Sequence, residues 1–107
     1  MYKLVFFVPE SHLELVKTAV FSAGAGRIGN YDQCCWQVPG VGQFHPLANA
    51  NPYIGSVGKL EVLHEYRVEM VCADEFIQDA VAALRVAHPY EEPAFDVFYL
   101  TDVETHR

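Results

Sequence analysis

The sequence has few of the residues from which disulfide frameworks and zinc sites are built. It contains only three cysteines, and none of them stand in a C-x-x-C arrangement. Cys34 and Cys35 are neighbours, and adjacent residues of a strand point to opposite faces, so the two thiols cannot easily converge on one ion. We therefore expect Cys34, Cys35 and Cys72 to be reduced and mostly buried thiols of a cytosolic protein.

Positive charge and long apolar runs are also scarce. The sequence has seven Lys and Arg residues and fourteen Asp and Glu residues, so its formal net charge is −7. The basic residues are scattered along the sequence. Because nucleic-acid binding needs clustered basic side chains, that partner class is excluded. The N-terminal apolar run ends at Pro9, too short for a secretory signal, and no stretch is long enough to span a bilayer. We expect a cytoplasmic protein with no membrane partner.

Apolar side chains, in contrast, are plentiful. Hydrophobic residues make up 51% of the 107 residues, whereas charged residues make up 20%. A single domain of this length, residues 1–107, has difficulty burying so much apolar surface, and the surplus is most often covered by another copy. The composition therefore predicts a homo-oligomer, and a trimer is the economical closed assembly.

The chain reads as two similar halves. A short aromatic and β-branched run at 2–8 predicts a strand, and Ser11 with Glu14 has the form of a capping box for a helix that ends near Ala23. The same order recurs 64 residues later, where Asp74 stands as the helix cap. Each helix leads into a further strand, so the predicted strands are 2–8, 30–38, 66–72 and 94–100.

This βαββαβ order predicts an α+β, ferredoxin-like fold, in which two helices cover one face of an antiparallel sheet. The run VGQFHPL at 41–47 indicates an extra hairpin strand, and 46–59 form a long irregular connection. The polar residues 102–107 are expected to fray.

Residues 24–29 read GAGRIG, which matches the G-x-G-x-x-G nucleotide fingerprint. That fingerprint requires a preceding strand and a following helix, whereas here the glycines follow a helix and precede a strand. We therefore predict a helix C-cap with positive φ at Gly24 or Gly26, and no nucleotide site.

Both faces of the predicted sheet carry apolar residues. Leu4, Phe6 and Val8 share one face of the first strand, so the helices cannot also cover the other. Residues expected to lack cover within the chain are Val5, Phe7, Phe98 and Leu100. Packing of sheets between subunits would cover them.

The stretch HPYEEP at 88–93 combines an imidazole, a phenol and two carboxylates. Its first interpretation is a structural corner, because Pro89 ends the helix and Pro93 keeps the chain extended. Its second is a divalent-metal site with His88 and Glu91 as ligands and His45 joining across subunits. No arrangement of nucleophile and base is recognisable, so we expect neither catalytic residues nor a cofactor-binding residue, and no enzyme.

Four segments taken together resemble one family: VPESHLELV at 8–16, GAGRIGNYDQCCW at 24–36, NPYIGSVGKLE at 51–61 and HPYEEPAFDV at 88–97. They resemble the insert domain of the NIF-three-like (YqfO-like) proteins and its stand-alone versions. HPYEEP is also similar to the H-P-Y-E-x-P segment of the CutA proteins, trimeric relatives of the PII signalling proteins.

The resemblance implies a PII/CutA-like fold that oligomerises through its sheets. It also implies that the loop at 40–59 contacts partners. The metal motifs of the full-length NIF-three-like proteins lie in flanking domains, so that metal site is not carried over. The first functional hypothesis is a non-enzymatic, oligomeric, regulatory or interaction module. The alternative is a CutA-like divalent metal-ion binder, and a hydrolase is the third.

Overall fold

The computed structural model describes residues 1–103, in which two helices cover one face of a four-stranded antiparallel sheet with strand order β2-β3-β1-β4. Neither helix in these residues is long and apolar enough to cross a membrane. Of the tail predicted to fray, 104–107 lie outside the described residues. The elements are β1 (Tyr2–Pro9), α1 (Leu13–Ser22), β2 (Trp36–Phe44), β3 (Glu61–Cys72), α2 (Ile77–Ala87) and β4 (Phe95–Tyr99).

The core lies between the helices and one face of the sheet. In the antiparallel register Phe6 stands opposite Val68 and Leu4 stands opposite Met70, so these side chains share a face. All four are at most 3% exposed and belong to one cluster with the buried helix residues. Burial of each such side chain contributes about 1.5–3 kcal/mol.

The two halves have the same helix stripe, as the 64-residue offset predicts. Three positions of α1 and their three counterparts in α2 are all at most 7% exposed. These are Leu13, Val16 and Val20, matched by Ile77, Ala80 and Leu84. The predicted duplication of a strand–helix unit is therefore confirmed.

The predicted side-chain caps at the helix starts are wrong. A 3₁₀ turn over Glu10–His12 precedes α1, and the Ser11 hydroxyl hydrogen-bonds to Nδ1 of His12 at 2.8 Å instead of capping. Asp74 pairs with the N-terminal amine of Met1, and α2 begins at Ile77. Both polar side chains therefore bond to groups other than the first N–H groups of the helix, and short polar residues readily make such alternative hydrogen bonds.

The end of α1 follows the prediction for GAGRIG. The Ala25 N–H donates to the Val20 carbonyl at 3.2 Å and the Gly24 N–H donates to the Phe21 carbonyl at 3.0 Å, which is a Schellman motif. Gly24 has φ +113° and Gly26 has φ +83°, so both predicted positions are left-handed. The Gly26 N–H donates to the Val71 carbonyl at 2.8 Å, so this backbone donor is used within the chain.

The second strand lies further along the chain than predicted. Residues 30–35 are irregular, with an isolated bridge between Ile28 and Tyr31, and 36–44 form one continuous strand. The predicted extra hairpin strand is wrong, because 41–44 continue β2 opposite an early start of β3 at Glu61. Pro39 does not interrupt β2, since an edge strand tolerates a residue without an N–H. The ferredoxin-like fold class is confirmed.

The uncovered face of the sheet is less apolar than predicted. Val5 is only 2% exposed, because β1 is a central strand and the Cα partners Glu69 and Asp96 flank it on both sides. Phe7 and Leu100 are half-buried, whereas Phe98 is 53% exposed. The expectation that Val5 lacks cover within the chain is therefore wrong, and that for Phe98 is confirmed.

Candidate functional site

A cleft of about 380 Å³ lies between the HPYEEP corner, the long β2–β3 connection and the sheet. The corner contributes Tyr90, and the connection contributes residues from His45 to Ile54. Phe7 and Glu65 form the sheet wall. This volume is at the small end of the range for small-molecule pockets.

The corner is fixed by local sterics and by one histidine. His88 has φ −71° and ψ 135°, the extended conformation that a following proline imposes. Its Nε2–H donates to the Phe7 carbonyl at 2.7 Å, and its Nδ1 accepts the Tyr90 N–H at 3.1 Å. These partners assign the Nε2–H tautomer, and the ring joins the corner to β1. HPYEEP is therefore the corner predicted between α2 and β4.

His88 is held as a neutral ring. It is 5% exposed, and burial lowers the pKa of the imidazole below its usual 6.5. The hydrogen bond to the Phe7 carbonyl and the Glu65 carboxylate raise this pKa, whereas the positive form of His12 lowers it. Desolvation is the largest of these effects, so the net direction is downward.

Tyr90 stands at the centre of an aromatic cluster. Its ring centroid lies 4.8 Å from that of His88, 6.0 Å from Phe44 and 6.4 Å from Tyr53. Its hydroxyl oxygen is buried and has no hydrogen bond of normal geometry within the described residues. Burial, and then the nearby Glu65 carboxylate, raise the pKa of this phenol, so it stays protonated at neutral pH.

Glu65 reaches its position because β2 has a glycine beside it. A Cβ at Gly42 would overlap with the Oε1 and Cδ atoms of Glu65. Gly42 therefore leaves the space that the carboxylate occupies on this face of the hairpin.

The connection folds back onto the corner. The Asn51 N–H donates to Oε1 of Glu91 at 3.1 Å, and the Gly58 N–H closes the base of the connection on the Pro46 carbonyl at 2.9 Å. Tyr53 makes an edge contact with His12, with ring centroids 5.5 Å apart. These contacts give the cleft a defined wall.

The three residues of the predicted metal site are only partly brought together. His45 and Glu91 line the cleft, whereas His88 lies behind Tyr90 with both ring nitrogens hydrogen-bonded to backbone. Across residues 1–103, no group of three or more His, Cys, Asp and Glu side chains is placed to hold a metal ion. Metal binding by His88, Glu91 and His45 stays a prediction.

Several cleft residues were not identified from the sequence as site residues. They come from different strands and from the connection, and include Phe7, Phe44, Tyr53 and Glu65. No single motif contains all of them, because strand pairing and the folded connection bring them together. The available signals were the length of the loop at 40–59, part of which lines the cleft, and the segment NPYIGSVGKLE at 51–61, which contains Tyr53.

Comparison with solved structures gives the class of the fold. The PII-like protein CutA from Nostoc sp. PCC 7120 superposes with a TM-score of 0.66 at 17% identity, covering 94% of this chain and 81% of that one. The chain therefore has the CutA/PII-like fold, as expected. Comparison with protein-family models finds no match.

Sequence similarity then identifies the particular relatives. A Bacillus cereus protein related to NIF3 superposes with a TM-score of 0.81 at 39% identity, over 94% of this chain and 26% of that one. A Mycobacterium tuberculosis protein named GTP cyclohydrolase 1 type 2 homolog is 52% identical over 98 residues, 92% of this chain and 26% of that protein. The chain is homologous to one segment of the NIF3-related proteins and spans about a quarter of their length.

Proposed function

We propose that this chain is a non-enzymatic, oligomeric module with a regulatory or interaction role, and that the cleft beside HPYEEP is its binding site. The main support for this proposal is the cleft itself, which lies between the HPYEEP corner and the long β2–β3 connection. A concave site between a loop and a rigid corner suits recognition, because binding residues are often carried on loops that a scaffold positions.

The chemistry of the cleft supports binding rather than catalysis. The raised pKa of Tyr90 keeps its phenol protonated and a poor nucleophile. The ring of His88 is engaged on both sides by backbone, so it is a poor base. The GTP named in the relatives' description is a polyanion, and among residues 1–103 no Lys or Arg lines the cleft. We therefore do not extend a cyclohydrolase activity to this chain.

Exposed aromatic residues support self-association through the uncovered face of the sheet. Phe98 is 53% exposed and Trp36 is 58% exposed, on the strands that form the two edges of the sheet. Covering them with further copies removes apolar surface from water. A trimer is the assembly we propose.

Light scattering on a sizing column tests the oligomer. We expect three times the 12.0 kDa chain mass for the wild type and a lower mass for Phe98→Glu. Val86→Glu is the matched control, because it puts the same charge on an 88% exposed apolar residue of α2. A wild type that is monomeric at micromolar concentration contradicts the proposal.

The alternative proposal is a divalent-metal site, favoured by the presence of His45 and Glu91 in one cleft. Titration calorimetry with Zn²⁺ should then show micromolar binding that His45→Ala abolishes. His45 is the better test than His88, because its replacement removes no structural hydrogen bond found in residues 1–103. Equal binding by both proteins, or none, contradicts this alternative.

A further inference from the structure

We infer that the cleft binds a small organic cation, namely a primary ammonium group carried on an apolar body about the size of one aromatic ring. This inference rests on the proposed function only in taking the cleft as the binding site. Three features of the cleft lead to it: its charge, its rings and its hydrogen-bond acceptors.

The charge of the cleft is of one sign. Glu65, Glu91 and Glu92 line it, and none of the 15 lining residues is Lys or Arg among the residues described. None of these carboxylates takes part in an ion pair within 1–103. A positive ligand is therefore the complementary one, and a phosphate or carboxylate ligand meets repulsion.

The walls of the cleft are aromatic and apolar. The rings of Phe44 and Tyr53 both neighbour that of Tyr90 there, and Leu47 and Ile54 add aliphatic surface. Aromatic faces attract cations, and the attraction is larger where water is excluded. The volume of about 380 Å³ suits an amine with a single ring.

The hydrogen-bond acceptors of the cleft indicate an amine that still carries N–H groups. They are the carboxylates of Glu65, Glu91 and Glu92, which accept hydrogen bonds and donate none when ionised. An ammonium N–H would donate to such a carboxylate in a charge-assisted hydrogen bond, which is stronger than a neutral one. A quaternary ammonium group lacks that donor, so a primary amine fits better.

The test is an NMR titration of the isotope-labelled full chain at pH 7 with three matched probes. These are 2-phenylethylamine, which is a cation at this pH, neutral 2-phenylethanol and anionic 3-phenylpropionate. We expect saturable shifts of the Ala50, Tyr53 and Tyr90 amides with the amine. The alcohol should bind about tenfold more weakly, and the carboxylate should produce no saturable shift.

Variants connect the binding to the carboxylates. Glu65→Gln should weaken amine binding by about fivefold to tenfold, since it removes the most enclosed negative charge. Glu92→Gln should weaken it as well, and this exposed residue can be changed without threatening the fold. The control is Glu75→Gln, an exposed carboxylate outside the cleft, which should leave the affinity unchanged.

Two results overturn the inference: no amine binding up to about 10 mM, or carboxylate binding as tight as amine binding. The oligomeric mass of the same samples separates this inference from the proposed function. If the protein is a trimer but does not bind the amine, only the ligand inference is overturned. A monomer that binds the amine supports the ligand inference and overturns the oligomer.

Discussion

Replacing His88 with alanine should destabilise the domain strongly, although the sequence also made this residue a candidate metal ligand. The imidazole is 5% exposed and is hydrogen-bonded to the backbone on both sides. Its loss leaves the Phe7 carbonyl and the Tyr90 N–H without their partner, beside a space where the ring was packed.

The expected loss follows from these groups. An unsatisfied buried polar group costs about 1–3 kcal/mol, and some relaxation or water entry offsets the cost. Together with the lost packing, His88→Ala should lower the free energy of unfolding by about 2–5 kcal/mol. His64→Ala is the matched control, because His64 is exposed on β3, and a surface change usually stays within about 0.5 kcal/mol.

The same residue gives a pH dependence with a definite sign. The pKa of His88 in the folded state is lowered, chiefly by burial, so the folded state binds fewer protons than the unfolded state. The stabilisation is fully present above the usual pKa of about 6.5 and is lost as pH falls through the lowered folded pKa. Glu65 raises the pKa of His88 and His12 lowers it, so the pH dependence of stability reports the net shift of this pKa.

Urea unfolding, monitored by the fluorescence of the single tryptophan between pH 5 and pH 8, measures both effects. The wild type should lose more stability than His88→Ala as pH falls below about 6.5, because only the wild type retains this titrating group. A His88→Ala variant within about 0.5 kcal/mol of the wild type at pH 7 would refute the reasoning. So would an acid-side slope equal to that of the wild type.

Three further substitutions test the turn and the cleft by chemical unfolding. Gly26→Ala should destabilise by several kcal/mol, because φ is +83° and the new Cβ would lie 2.7 Å from the Phe21 ring. Gly29→Ala should lower the free energy of unfolding by only about 1–2 kcal/mol, because Gly29 has φ +55° but no atom lies within 4 Å of the new Cβ. Equal losses of stability in the two variants would contradict the steric part of this argument. Tyr90→Phe should keep or raise stability by up to about 1 kcal/mol, because the buried hydroxyl that it removes has no hydrogen bond of normal geometry. A clear loss of stability would show that the hydroxyl is bonded to the nearby Glu65 carboxylate.

Part of the candidate site was predictable because its sterics are local. Pro89 cannot continue a helix and forces an extended residue before it, so the corner follows from the sequence HPYEEP. The function of His88 did not follow, since its partner is the carbonyl of Phe7, 81 residues away. The sequence alone does not distinguish a histidine that binds a metal from one with a structural role. The distinction depends on which atoms lie beside the ring nitrogens in the folded chain.

By itself, the sequence determined the βαββαβ order, the duplicated helix stripe, the glycine stop after α1 and the NIF-three-like resemblance. These depend on periodicity, on backbone conformations near glycine and proline, and on motifs, all of which are short-range. Only the tertiary structure decided that β2 runs from Trp36 to Phe44, that Val5 is buried, and that Glu65 meets Tyr90 across a cleft. Those features depend on strand register and on the path of a long connection, and pairing between distant segments sets both.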